Sequence, residues 1–272
     1  LGAIARECDK VYVVDNGSTN QGTLKKITKR PRIKLLALGQ NTGIAHAQNV
    51  GLSAAFGAGA EAVILFDHDS APRPGLSKAL LAAAAGVRIA GPRIYDINKN
   101  SFALHPCYGG LFFRRRAAPE AKVLEGAMMV VASGCLIPRA VYERVGGMRE
   151  EYFIDYVDWE YCLRARHKFG IATVVAAAAV LDHARGERLG RRLGPFTVYP
   201  PGYSPFRYTH IFRNRAALLR EYLFKDRAFV AFELVALARD FLLLAAEKQT
   251  HTLCWLAIKS WCGGFFRRGN LD

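Results

Sequence analysis

Between Val63 and Ser70 the chain reads Val-Ile-Leu-Phe-Asp-His-Asp-Ser, so an apolar run leads straight into two carboxylates, Asp67 and Asp69, one residue apart. Two acids so placed can share a hard divalent cation with the oxygens of a diphosphate. Such ions prefer oxygen ligands and let substrate phosphates complete the shell. The same residues also suit a solvated strand-to-loop turn, where Asp and Ser are common. A further acid, Asp15, closes the apolar run Val11 to Val14 ahead of Asn16, Gly17 and Ser18, a pattern that also fits an Asx-turn. Farther on, Phe153 to Arg164 brings Asp155, Asp158 and Glu160 together with Arg164 at a helix start. Glu160 and Arg164 stand four apart, the spacing of an ordinary helix ion pair.

These groups need elements to position them. A short apolar run ending in turn residues reads as a buried parallel strand, and open α/β sheets bind ligands at the carboxyl ends of such strands. Strands are expected at Val11–Val14, Ile33–Leu38, Ala62–Phe66, Val87–Ala90, Met128–Ala132 and Val174–Leu181. Helices are expected from Asn41-Thr42-Gly43 to Phe56, and over Leu76–Ala85, Arg139–Val145, Asp158–Phe169 and Asn214–Lys248. This alternation predicts an α/β fold with a mostly parallel sheet flanked by helices and a helical C-terminal extension. Tyr95–Glu125 reads as irregular, with Arg114-Arg115-Arg116 in a mobile loop. The division expected is 1–205 for the α/β domain and 206–272 for the helical region. Leu1–Lys10 resembles the tail of a helix, an odd start for such a fold, and suggests a strand upstream of the numbered residues.

With 272 residues and 51% hydrophobic content, the chain can bury one large core. A net charge of +15 implies an anionic partner: nucleic acid, an anionic membrane surface or a phosphorylated substrate. The six cysteines are scattered without a C-x-x-C pair, which predicts buried apolar residues in a reducing compartment, neither a disulfide framework nor a zinc site. No signal peptide opens the sequence and no uncharged apolar stretch is long enough to span a bilayer, so a cytoplasmic protein is expected.

Taken in order, Asp15-Asn16-Gly17-Ser18, Asn41-Thr42-Gly43 with Asn49 and Gly51, Asp67-His68-Asp69, and Phe153 to Arg164 resemble the family 2 glycosyltransferases. The likeness is strongest to the bacterial rhamnosyltransferase branch. It runs from about Val11 to His183 and more loosely through Arg207 to Asn214. The resemblance implies a nucleotide-diphosphosugar transferase fold of the GT-A type. It implies that Asp15 meets the nucleobase edge, that Asn41 and Gly43 belong to the nucleotide-sugar site, and that Asp67 lies near the ribose. Asp69 would bind a Mg²⁺ or Mn²⁺ ion bridging the diphosphate, with His183 completing the metal site. His68 would point the opposite way along the strand and stay outside that shell. Asp158 matches the general base of inverting transfer, but the residue before it is Val157 where many relatives carry an acid. Asp155 or Glu160 could therefore share the role. The Ser133-Gly134-Cys135 step matches a turn that lets the sugar approach the backbone, with Cys135 read as packing. Arg185, Arg188, Arg191 and Arg192 could neutralise a departing nucleoside diphosphate or form a solvated loop.

The resemblance makes the expected activity transfer of L-rhamnose from dTDP-L-rhamnose to a saccharide or lipid-linked acceptor in surface polysaccharide synthesis. A UDP-sugar donor is the related alternative, and a noncatalytic nucleic-acid or polyanion binder is the one from another class. Carboxylates gathered at one site argue against the binder, because they repel phosphates unless a cation intervenes. Trp255, Trp261, Phe265 and Phe266 interleave with Lys259, Arg267 and Arg268. Such a tail suits peripheral contact with anionic lipid at the inner face of the plasma membrane, or simple packing on the rest of the chain.

Overall fold

The computed structural model describes residues 1–20, 22, 26, 31–120, 122–183, 190–247 and 249–266. Two compact units divide the chain. The first holds Leu1–Cys107, Arg115–Phe153 and Val157–Arg185; the second holds Tyr108–Arg114, Ile154–Tyr156 and Gly186–Asp272.

The first unit opens with α1 (Gly2–Glu7) and β1 (Val11–Asp15). Strand β1 pairs in parallel with β2 (Ile33–Ala37), from Val11 opposite Ile33 to Asp15 opposite Ala37. Helix α2 (Ile44–Gly57) buries Ala45, Leu52, Ala55 and Phe56. Its small residues let it lie close: a Cβ on Gly51 would stand 3.3 Å from the Val14 side chain. Next come β3 (Ala62–Ile64), β4 (Ser70–Pro72), α3 (Leu76–Ala83), β5 (Ile89–Asp96) and β6 (Ser101–Phe102). After β7 (His105–Gly109) and β8 (Phe112–Arg116), whose residues Tyr108–Arg114 belong to the second unit, follow β9 (Leu136–Pro138), α4 (Arg139–Val145), a 3-10 turn over Glu150–Tyr152, α5 (Val157–Phe169) and β10 (Thr173–His183).

The main sheet runs β3-β9-β5-β10-β4, with β6 on the side of β5. It is mixed. Its longest ladder, β5 with β10, is parallel, as is the separate two-stranded sheet of β1 and β2. The other pairings of the main sheet are antiparallel: β3 with β9, β9 with β5, β5 with β6, and β10 with β4. Asp67 thus follows a strand whose neighbour runs the opposite way. In the β5–β10 ladder, Ala176 faces Pro92 and the register then jumps to Val180 opposite Arg93. Proline has no N–H to give, so an irregularity beside it is the usual outcome. Leu76, Leu80 and Ala83 of α3 pack on Ala90, Ile94, Val174 and Leu181 to form the core. Phe66 packs both against this core and against the smaller cluster of Ile4, Val11 and Ile33.

Several sequence expectations shift here. Met128–Ala132 is not a strand. Met128 and Val130 are buried, and Val130 sits against Gly91, where a Cβ would come within 2.4 Å. Apolar composition reflects that burial, not pairing. Arg114–Arg116 lies in β8, paired with β7, and not in an irregular loop. Strand β5 begins at Ile89, since Val87 has φ +62° and belongs to the preceding turn. Cys107, Cys135 and Cys162 are buried as expected, whereas Cys262 is exposed.

The second unit contains the hairpin β11 (Arg191–Leu193) and β12 (Phe196–Val198), then α6 (Pro205–Tyr222), α7 (Arg227–Leu244) and α8 (Thr250–Phe266). Helix α6 begins earlier than the sequence pattern indicated, because Ser204 caps it by accepting the Arg207 N–H and Pro205 follows as the first helical residue. Asp226 caps α7 by accepting the Phe229 N–H at 2.9 Å and also receives the Tyr108 hydroxyl at 2.7 Å. Tyr208, Phe212, Leu244, Leu253 and Ala257 form the local core. Helix α8 presents its small residues to α6; at Gly264 a Cβ would stand 2.2 Å from the Arg213 carbonyl oxygen. Among the described residues, no helix is long and apolar enough to cross a membrane.

Candidate active site

At the end of β1, Asp15 is 7% exposed and accepts the Ser18 N–H at 3.0 Å. One carboxylate oxygen therefore closes the Asx-type turn. The next residue staples this turn to the loop before α2. Asn16 accepts from the Thr42 N–H (2.8 Å) and hydroxyl (3.0 Å), and donates to Asn41 Oδ1 (3.1 Å) and the Gly43 carbonyl (3.2 Å). Asn41 Oδ1 also accepts the Gly43 N–H. Gly43 has φ +89°, and a Cβ there would meet the Phe153 ring at 2.6 Å. The Ile44 N–H donates to the Phe153 carbonyl at 2.6 Å. Asp15, Asn41 and Gly43 thus form one corner, which abuts the start of the acidic segment. Asn16, to which the sequence assigned no role, is its hub.

The acid pair lies at a second corner. The Asp67 N–H donates to Ser133 Oγ (3.1 Å), whose hydroxyl donates to Ser70 Oγ (2.8 Å), and Ser70 Oγ stands 3.4 Å from His183 Nδ1. Sheet register explains the meeting, because β10 places His183 directly opposite Ser70 of β4. Burial pushes the Asp67 carboxyl above the usual range, and the Asp69 charge pushes it further, while His183 and His68 pull it down. Asp67, Asp69 and His183 are therefore electrostatically coupled. Ser70 and Ser133 form a hydroxyl relay that sequence reading missed; a serine directly after the acid pair and another in the Ser133-Gly134-Cys135 step were its signals. Gly134, at φ +84°, turns against Pro92 with no room for a side chain, since a Cβ would approach it to 2.5 Å.

Among the described residues, no group of three or more His, Cys, Asp or Glu side chains is gathered tightly enough to hold a metal unaided. Two coupled carboxylates, one held up partly by the charge of the other, are nonetheless a donor set that a hard cation relieves. Diphosphate oxygens can fill the remaining positions. The residues present fit such an ion.

The three acids near α5 have different surroundings. Glu160 is fully buried and bound by Arg149 (3.1 Å) and Arg164 (2.7 Å). Arg164 also donates to the Val145 and Gly147 carbonyls, so this cluster ties α5 to the end of α4. In the second unit, Asp155 is gripped by the Arg207 fork, with both contacts at 2.9 Å. Asp158 is half-buried in the first turn of α5 and accepts the Trp159 N–H. Its negative charge reaches Cys135 and Cys162, raising both thiols beyond the main effect of burial. Cys135 belongs to the Ser133-Gly134-Cys135 turn, which carries the serine of the relay. Cys135 is packing, as expected.

The backbone ahead of Asp158 is unusual. Phe153, Asp155 and Tyr156 have φ of +54°, +60° and +66°, which L-residues seldom adopt. Each such residue costs about 1–3 kcal/mol and persists where its surroundings over-determine it, commonly at functional sites. Of the basic residues after His183, Arg185 and Arg188 lie outside the described residues. Arg191 donates to the Ala246 carbonyl at 3.0 Å, and Arg192 is exposed.

The sequence profile described as "Glycosyl transferase family 2" matches residues 5–146. The dTDP-rhamnosyl transferase RfbF of Shigella flexneri is 34% identical over 219 residues, 78% of this chain and 71% of that protein. Among solved structures, GalNAc-T7 with UDP, GalNAc and Mn²⁺ aligns with a TM-score of 0.59 and 13% identity, over 82% of this chain and only 43% of the other. The mannosyltransferase PcManGT from Pyrobaculum calidifontis, in complex with GDP-Man and Mn²⁺, aligns with a TM-score of 0.52 and 17% identity, over 97% and 82% of the two chains. At such identities the structures speak for the fold, which is of the GT-A type. The profile spans β1 through α4, and so takes in Asn16, Asn41, Asp67, Ser70 and Ser133 but not Phe153 or His183. The chain belongs to glycosyl transferase family 2.

Proposed function

We propose that this chain transfers L-rhamnose from dTDP-L-rhamnose, with inversion, onto a saccharide or lipid-linked saccharide during bacterial surface polysaccharide synthesis. The donor follows from its likeness to the dTDP-rhamnosyl transferase. The reaction type rests on one observation. Asp158 acts electrostatically on Cys135 of the Ser133–Cys135 turn, and Ser133 accepts the Asp67 N–H, which supports reading that carboxylate and the acid pair as parts of one site.

Asp15 would accept the imide N–H of thymine, its orientation set by the Ser18 N–H, while Asn41 and Gly43 line the nucleotide. Asp67 would approach the ribose. Asp69 and His183 would hold Mg²⁺ or Mn²⁺, which when bound neutralises charge building on the diphosphate. Asp158 takes the proton of the acceptor hydroxyl as that oxygen bonds the anomeric carbon. The bond to the diphosphate breaks on the opposite face, and dTDP leaves with its electron pair. The exposed Trp255, Ile258 and Phe266 of α8, with Lys259 among them, would touch an anionic membrane carrying the acceptor.

Donor affinity measured beside turnover tests this reading. Because the proton moves in the transition state, Asp158→Asn keeps nucleotide-sugar affinity and loses turnover by about 10²–10⁴. Near-normal turnover in that variant removes Asp158 from the chemistry.

A further inference from the structure

Three side chains of α6 converge on the three residues that precede Val157 and Asp158. The Asn214 amide, 2% exposed, donates to the Ile154 carbonyl at 2.9 Å and the Asp155 carbonyl at 3.0 Å. Its oxygen accepts from Arg213 Nε (3.0 Å) and Nη2 (2.9 Å), so the amide has one permitted orientation. One turn into the helix, Arg207 holds the Asp155 carboxylate through two bonds. Arg215 reaches Tyr156, donating from Nε to its hydroxyl at 2.5 Å and to Glu233 at 2.9 Å, and from Nη2 to Asp240 at 2.6 Å. The Tyr156 hydroxyl itself donates to Glu233 at 2.8 Å.

These contacts fall on the segment with left-handed φ values. Without them Asp155 and Tyr156 would relax toward ordinary backbone, and the helix they feed would start elsewhere. A general base tolerates little displacement, because proton transfer needs hydrogen-bond reach to the acceptor hydroxyl. We infer that Asn214, assisted by Arg207, is a positioning residue: it fixes the backbone of 154–155 and thereby aims the Asp158 carboxylate. Asn214 meets neither donor nor acceptor. The inference rests on Asp158 being the base.

The test uses the full chain, dTDP-L-rhamnose and any acceptor that supports turnover. Asn214→Ala lowers kcat by about 10²-fold, the cost of roughly 1 Å of misplacement, while donor affinity stays within about threefold of wild type. Arg207→Gln, at a more exposed side chain, gives the same pattern more weakly and serves if Asn214→Ala does not fold. The deciding measurement is the double variant Asp158→Asn with Asn214→Ala, or with Arg207→Gln in its place. With no base left to aim, the second substitution costs no further kcat, since residues acting as one unit are not additive. A second loss as large in the Asp158→Asn background as in wild type means a general structural role and overturns the inference. Wild-type kcat in both Asn214→Ala and Arg207→Gln does so too, with Asp158→Asn inactive showing that the base assignment stands. If Asp158→Asn itself turns over normally, the base assignment fails and the inference falls with it.

Discussion

Asp67 carries a testable electrostatic cost. Its carboxyl is held above the ordinary range by burial first and by Asp69 second, so the folded state takes up its proton more readily than the unfolded chain. A group whose folded pKa is raised stabilises the protein at low pH, and that contribution is lost as pH rises through the raised value. Without metal or donor, Asp67→Asn should therefore raise the thermal midpoint at neutral pH and leave it little changed near pH 4, close to the usual Asp value. A neutral-pH midpoint at or below wild type would show that the carboxylate is not repelled where it sits. At this scale the residues singled out in the sequence sit in two local networks: Asn41 and Gly43 bond to Asn16 beside Asp15, and Asp67 and His183 meet the Ser133–Ser70 pair. The roles of Asn16, Ser70 and Ser133 were hidden, because a polar residue's hydrogen-bond partners depend on residues 25 to 113 positions away.

Among elements, α5 carries both the acid proposed as the base, Asp158, and an acid held for structure, Glu160. The Glu160 carboxylate sits fully buried between Arg149 and Arg164, fixing α5 to the residues after α4. Removing one partner of a buried ionic cluster leaves uncompensated charge and typically costs about 3–5 kcal/mol. Glu160→Gln should lose that much in urea unfolding, while its folded fraction keeps turnover within a few fold. If stability is untouched and turnover disappears, Glu160 is the base and not the anchor. The four-residue spacing to Arg164 made this pair legible beforehand, whereas Arg149 was not, since it approaches from another segment. Periodicity marked most helices, but burial without pairing misled at Met128–Ala132. The direction of β3 could not be read either, because an apolar run looks the same whichever way its neighbour points.

For the molecule as a whole, the net charge is +15, and the lipid contact proposed for α8 is the surface on which that charge can be tested. Helix α8 turns Trp255 (68% exposed), Ile258 and Phe266 outward with Lys259, while Leu253, Ala257, Ser260 and Gly264 face inward. Trp255→Ser with Phe266→Ser should weaken binding to anionic vesicles by about tenfold or more, given roughly 1.5–3 kcal/mol per large apolar side chain buried. Added salt should weaken the wild type as well. Unchanged vesicle binding in the double variant would assign those side chains to some other purpose. Outward-facing substitutions are the right tools, because the inward face of α8 is spoken for. Gly264 lets the helix touch the Arg213 carbonyl, one residue from Asn214. A single-residue deletion within α8 before Gly264 would rotate Phe265 into that gap, and a phenylalanine does not fit. Deletions in descendants of this chain should therefore avoid α8 ahead of Gly264.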